Sequence, residues 1–176
     1  NRQTIQKDVY GVNWLNYDGS AYVCLSQNAD SITYDYLIVS NDRSVTIEGV
    51  YSASISDDRS VIYLLADYNA ELELGTLYSL SVANLQKREL AKNVAFINPG
   101  GITDLTQGIL YSTPGEMSGR YDINYVTSSG QIYTLISDGF EQSLYTIYLN
   151  TQQQTGYIMM HGVSADRHTL HYVEWS

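Results

Sequence analysis

The chain has 176 residues, which fits one compact domain of about 150 residues better than two. A composition that is 44% hydrophobic, with 13 glycines and 2 prolines, excludes intrinsic disorder and a collagen-like repeat. The formal net charge of −10 argues against nucleic-acid binding, which needs basic contacts, and the longest apolar run, Val61 to Ala66, is too short for a membrane-spanning helix.

Apolar and polar residues alternate along most of the chain, which predicts β-strands. In chain order the alternation is clearest at Ile32 to Ile38, Tyr78 to Val82, Tyr121 to Tyr125 and Leu144 to Tyr148. The connectors Asp18-Gly19, Ser129-Gly130 and Asp138-Gly139 are typical of hairpin turns. Residues Val82 to Asn93 contain many good helix formers, so a helix there is the alternative to two strands around a turn at Asn84.

Strand-ending motifs recur every 41 to 46 residues, and each interval holds about four strands. This period is typical of propeller blades. We therefore predict an all-β, β-propeller-like array of about four four-stranded antiparallel blades, a small or partial propeller, in a single domain over residues 1–176. The repeat-like units are approximately 10–49, 50–93, 94–140 and 141–176, and residues 1–9 are a candidate strand to complete the last blade.

The second unit carries four short motifs, which are Ser56-Asp57-Asp58-Arg59, Ile62-Tyr63-Leu64-Leu65, Gly75 to Leu80 and Arg88-Glu89-Leu90. Through them it resembles a blade of the TolB-like, WD40-like β-propellers of bacterial envelopes. The chain departs from the family's Ser-Pro-Asp-Gly turn motif, because the motif's proline is missing and Arg59 and Arg167 stand where the family has glycine. The resemblance, together with 17 tyrosines, implies a secreted, periplasmic or cell-surface location.

The alternative fold is a single up-and-down β-barrel of the lipocalin type, which holds a small apolar ligand. The segment Gly11-Val12-Asn13-Trp14 has one residue more than the Gly-x-Trp of that family. No convincing C-terminal helix follows it.

A metal site is the sharpest chemical hypothesis, because His161, His168 and His171 lie close together in the sequence with Asp166 nearby. The surrounding pattern predicts a strand, and residues three apart on a strand point to opposite faces. We therefore predict no metal site at these histidines.

Other reactive residue types have structural interpretations. Asp57-Asp58 and Asn41-Asp42 lack the alternating ligand pattern of a calcium loop, so they are expected to shape turns. Cys24 lies in a predicted strand and is expected to be a small buried hydrophobe. No catalytic motif is recognisable, and we expect no cofactor.

Aromatic residues offer the best material for recognition, because their rings combine contact area with a polar edge. The candidate ligand-binding residues are Trp14, Tyr17, Tyr68 and Trp175. We expect a noncatalytic binding or scaffolding module that recognises a protein or glycan partner through loops and aromatic edges. The alternatives are a propeller domain of a glycan- or peptide-acting enzyme and a lipocalin-like carrier. No nucleic-acid partner or membrane span is expected.

Overall fold

The computed structural model describes residues 8–27, 32–98, 106–140, 145–161 and 168–176. The regular elements in these ranges are β-strands, and they form four separate antiparallel sheets. The predicted all-β class is confirmed. No helix in the described ranges is long and apolar enough to span a membrane.

The chain divides into two compact units, residues 1–92 and 93–176. The first sheet of the first unit, in strand order β1-β2-β3-β4, consists of β1 (Gly11–Trp14), β2 (Ala21–Gln27), β3 (Tyr34–Ser40) and β4 (Arg43–Val50). The second sheet, in the order β5-β6-β7-β8, consists of β5 (Ser52–Ile55), β6 (Val61–Asn69), β7 (Leu74–Ser81) and β8 (Lys87–Val94). The last two residues of β8 belong to the second unit.

The two sheets of the first unit share a hydrophobic core. Ile38 and Ile47 from the first sheet and Ile62 and Leu64 from the second belong to it. Each fully buried side chain of this size contributes about 1.5–3 kcal/mol through the hydrophobic effect. The predicted alternation from Tyr78 to Val82 is confirmed, because Tyr78 and Leu80 in β7 and Val82 directly after it all pack on this core.

Strand β6 is buried on both of its faces. Tyr63 and Leu65 point away from the core that holds Ile62 and Leu64, yet none of these four side chains is exposed to solvent. A strand covered on both faces needs a continuous apolar run, which explains why the sequence here does not alternate.

The second unit also contains two sheets. One has the order β12-β11-β10-β9 and consists of β9 (Phe96–Ile97), β10 (Gly108–Pro114), β11 (Tyr121–Thr127) and β12 (Ile132–Phe140). The other has the order β13-β14-β15 and consists of β13 (Tyr145–Asn150), β14 (Thr155–His161) and β15 (His168–Glu174). Their shared core includes Leu110, Ile123, Tyr125, Ile147 and Ile158.

The last sheet has three strands among the described residues. The expected contribution of residues 1–9 to this sheet falls largely on residues 1–7, which lie outside the described residues. That contribution stays a prediction.

A turn and the edge strand β8 occupy the segment for which a helix was the alternative prediction. The Leu85 amide donates to the carbonyl of Ser81 at 2.8 Å, and Leu85 has a left-handed φ of 58°. The Gln86 amide donates to Oδ1 of Asn84, so the predicted turn at Asn84 is confirmed and the helix is wrong. The exposed, charged residues of β8 suit a sheet edge, because charge discourages pairing with another chain.

The barrel alternative is also wrong. A barrel closes one continuous sheet on itself, whereas the described strands form four sheets of three or four strands each. The alternative function of a lipocalin-like carrier required such a barrel, so that alternative is wrong as well.

Gly75 in β7 provides a test of packing within the first unit. A Cβ atom added at Gly75 would lie 2.8 Å from the carbonyl oxygen of Ala66 and 2.9 Å from Cδ1 of Leu65. We expect Gly75→Ala to lower the free energy of unfolding by about 1–3 kcal/mol, the usual cost of overpacking. Urea unfolding measures the change. The matched control is Gly11→Ala, where an added Cβ meets nothing within 4 Å; equal losses in the two variants would contradict the packing argument.

Candidate functional site

The turn between β1 and β2 is held in shape by its own polar side chains. Oδ1 of Asp18 accepts a hydrogen bond from the Ser20 amide at 2.8 Å, and Oδ1 of Asn16 accepts one from the Ala21 amide at 3.0 Å. Gly19 has a φ of 78°, a conformation that glycine adopts without steric cost. The result is a fixed turn with the side chain of Tyr17 at its tip, 98% exposed.

The turn between β5 and β6 is organised around Asp58. Its Oδ1 accepts hydrogen bonds from the Ser56 hydroxyl at 2.7 Å and from the Ser60 amide at 3.0 Å. The Arg59 amide donates to the carbonyl of Ser56 at 2.8 Å, and Arg59 has a left-handed φ of 58°. The backbone at Arg59 therefore has the conformation for which glycine is the usual residue.

The side chain of Arg59 connects the two turns. Its Nη1 donates to the backbone carbonyl of Trp14 at 3.2 Å, and its guanidinium carbon lies 5.2 Å from the centre of the Tyr17 ring. The second contact is a cation–π interaction, because a cation is attracted to the negative face of an aromatic ring.

An open depression of about 580 Å³ lies between these two turns. Its volume falls in the range of about 300–1,000 Å³ that is typical of small-molecule sites. The depression combines aromatic rings with hydrogen-bonding groups, and the residues that line it include Asn13, Trp14, Asn16, Tyr17, Asp18 and Arg59.

Hydrogen bonds lower the pKa of both turn aspartates. For Asp18 the main cause is the hydrogen bond from the backbone amide of Ser20, followed by the Ser20 hydroxyl. For Asp58 the main cause is the amide of Ser60, and the hydroxyls of Ser56 and Ser60 add to it. Both carboxylates are therefore ionised at neutral pH.

The four predicted ligand-binding residues lie in three different environments. Trp14 and Tyr17 come together in the depression, and Trp14 is 58% exposed. Tyr68 stacks face to face on Tyr51, with ring centres 3.9 Å apart. Trp175 is buried in the core of the second unit, where its ring centre lies 5.6 Å from that of Tyr125.

Arg59 was not among the predicted ligand-binding residues, although it lines the depression. One feature of the sequence could have drawn attention to Arg59. It is an arginine in an Asp-rich turn, at the position where the propellers that this chain resembles have glycine. A charged side chain on a left-handed backbone position is uncommon and draws attention to what that side chain contacts.

The remaining candidate chemistry lies away from the depression. Cys24 is buried, as expected, and burial raises the pKa of its thiol. In the register of β14 and β15, His161 is opposite His168 and Ile158 is opposite His171. Asp166 lies outside the described residues. In the part of the chain that the structure describes, no three His, Cys, Asp or Glu side chains come close enough to hold a metal ion.

Solved structures share this fold at low sequence identity. The β-propeller domain of the Trilobed protease from Pyrococcus furiosus is 11% identical with a TM-score of 0.57, over 88% of this chain and 50% of that one. Hydrazine synthase from Kuenenia stuttgartiensis is 12% identical with a TM-score of 0.50, over 92% of this chain and 52% of that one. TolB from Acinetobacter baumannii is 12% identical with a TM-score of 0.43, over 88% and 38% of the two chains.

These comparisons, with the four antiparallel sheets, show that the chain has the fold of a small or partial β-propeller. The predicted resemblance to β-propeller repeats is confirmed at the level of the fold. The chain spans about half the length of the first two structures. No family model and no curated protein matches it.

Asp58 allows a test of the turn that carries Arg59. We expect Asp58→Ala to lower the free energy of unfolding at neutral pH by about 1 kcal/mol, because an exposed carboxylate that accepts hydrogen bonds contributes modestly. The folded-state pKa of Asp58 lies below its ordinary value of 3.8. The contribution of the ionised Asp58 carboxylate to the free energy of unfolding is therefore complete above pH 3.8. This stabilisation is lost as the pH falls through the lower folded-state pKa.

Urea unfolding of wild type and Asp58→Ala at neutral pH and below pH 3.8 measures this effect. The difference in free energy of unfolding between wild type and Asp58→Ala should be smaller at the acidic pH than at neutral pH. Asp57→Ala, at the adjacent exposed position, is the matched control and should change stability little. A difference of the same size at both pH values would show that the Asp58 carboxylate does not stabilise the turn through its charge.

Proposed function

We propose that the chain is a noncatalytic binding or scaffolding module that recognises a protein or glycan partner through the depression of its first unit. The observation that carries this proposal is the pair of exposed rings, Trp14 and Tyr17, fixed beside the guanidinium of Arg59. Aromatic and arginine side chains are the residue types that contribute most to binding energy at interfaces.

The exposure of these rings supports a binding role. Burying a large aromatic side chain is strongly favourable, and the chain does so with Tyr63 and Tyr125. Trp14 and Tyr17 remain in solvent although the turns around them are rigid. A partner that covers both rings would gain the free energy of burying them.

We place this module outside the cytoplasm, in a secreted, periplasmic or cell-surface protein. The support for this placement is compositional, because tyrosine accounts for 17 of the 176 residues. The acidic net charge of −10 supports a partner that is not itself strongly acidic.

Removing the exposed rings tests the proposal. We expect Trp14→Ala and Tyr17→Ala each to weaken binding about tenfold or more, since each ring contributes contact area equivalent to about 1.4 kcal/mol or more. The measurement is binding to arrayed oligosaccharides and to a peptide library. Tyr148→Ala removes a similarly exposed tyrosine in β13, outside the depression, and is the matched control.

Two results would contradict this function. One is binding that is unchanged in both Trp14→Ala and Tyr17→Ala while the variants remain folded by circular dichroism. The other is turnover of a glycoside or peptide substrate that a single carboxylate substitution abolishes, because the module would then be an enzyme.

A further inference from the structure

We propose that the depression in the first unit binds a neutral saccharide, with a sugar ring against Trp14 or Tyr17 and neighbouring hydroxyls between Arg59 and Asp18. This inference rests on the proposed binding function and narrows its ligand to one chemical class. Four features of the site carry it, and they concern the rings, the polar groups, the charge and the strand edge.

The Trp14 ring provides a flat apolar surface whose orientation is held by a neighbouring ring. Tyr22 contacts the Trp14 ring edge-on, with ring centres 5.7 Å apart and an angle of 66° between the planes. Trp14 and Tyr22 are directly opposite each other on β1 and β2, so the sheet holds this pair. A pyranose ring exposes C–H groups on its faces, and these pack well on an aromatic surface that does not need to be ordered first.

The polar groups of the depression match the hydrogen-bonding properties of sugar hydroxyls. A hydroxyl group both donates and accepts, so adjacent hydroxyls need a donor and an acceptor side by side. Arg59 donates to the Trp14 carbonyl through Nη1, and the other N–H groups of its guanidinium have no hydrogen-bond partner within the described ranges. Asp18, whose carboxylate is exposed in the same depression, accepts hydrogen bonds and does not donate them.

Charge favours a neutral sugar over an acidic one. Asp18 lines the same depression as Arg59, so the site offers no excess of positive charge. The whole chain carries a formal charge of −10, which repels a polymer of uronic acids. An ionised Asp18 adds to this repulsion at short range.

The edge of β1 disfavours a peptide that would bind as an additional strand. Such a peptide needs the backbone groups at the open edge of the sheet. β1 is an edge strand of only four residues, and the carbonyl of Trp14 already accepts a hydrogen bond from Arg59. A peptide would have to displace Arg59 before it could pair with Trp14.

The two tryptophans of the chain allow a direct titration. In Trp175→Phe, which removes the buried tryptophan conservatively, Trp14 is the only source of tryptophan fluorescence. This protein is titrated with neutral tetrasaccharides of glucose, mannose and galactose, with a tetramer of galacturonic acid, and with the peptide library. We expect a saturable change in Trp14 emission with at least one neutral tetrasaccharide and binding of the acidic tetramer weaker by about tenfold or more.

Arg59→Gly, in the same single-tryptophan background, tests the polar half of the site. Glycine adopts the left-handed conformation of position 59 readily, so this variant retains the turn while it loses the guanidinium. We expect it to bind the neutral tetrasaccharide about tenfold more weakly. Arg88→Ala, which removes an exposed arginine from β8, should bind as the parent protein does.

The outcomes separate this inference from the proposed function. Equal binding of the acidic tetramer, or no binding of any neutral tetrasaccharide, overturns the saccharide assignment. A peptide that binds and requires Trp14 and Tyr17 also overturns it but supports the proposed function. Saccharide binding that is unchanged in Tyr17→Ala and Arg59→Gly overturns both, because the ligand would then lie elsewhere on the chain.

Discussion

Burial of both faces of a small sheet is the constraint on which this structure depends. A sheet of four short strands has two apolar faces and cannot cover either by itself. In the first unit, one face of β6 contributes Ile62 and Leu64 to the core shared with the β1–β4 sheet. The other face carries Tyr63 and Leu65, which are also fully buried. Sheets of this kind are stable only when stacked, which is why a repeated four-strand unit predicts a propeller and not an isolated sheet.

Stacking is also consistent with the position of the depression, which lies at the end of β1 and at the turns beside it. In the first unit both faces of β6 are used for packing, whereas the exposed rings of Trp14 and Tyr17 lie at the end of β1 and in the turn that follows it. Asp18 and Asp58 each fix a turn by accepting backbone hydrogen bonds, and these turns support Tyr17 and Arg59. The sheets and the hydrogen-bonded turns together fix the backbone that carries Trp14 and Tyr17.

Local pattern was sufficient to predict the all-β class and the array of small antiparallel sheets, but it could not predict which aromatic residues face solvent. Alternation predicts that Tyr78 and Leu80 share a face, and they do. Trp14 and Trp175 both lie near the ends of strands, yet one is exposed and the other buried. Their environments differ because distant segments cover one ring and not the other. Local periodicity does not predict contacts between residues that are distant in sequence, such as the hydrogen bond from Arg59 to Trp14, two residues that are 45 positions apart.

The identity of residue 59 is best understood through its energetics. A non-glycine residue in the left-handed region costs about 1 kcal/mol or more, and glycine would avoid this cost. The hydrogen bond to Trp14 stabilises the folded chain by about 0.5–1.5 kcal/mol, and an exposed cation–π contact with Tyr17 stabilises it by about 0.5–1 kcal/mol. These contributions approximately cancel, so folding alone gives arginine little advantage over the glycine found in the resembling propellers. Under the proposed function, arginine is present at position 59 because its guanidinium binds a ligand in the depression.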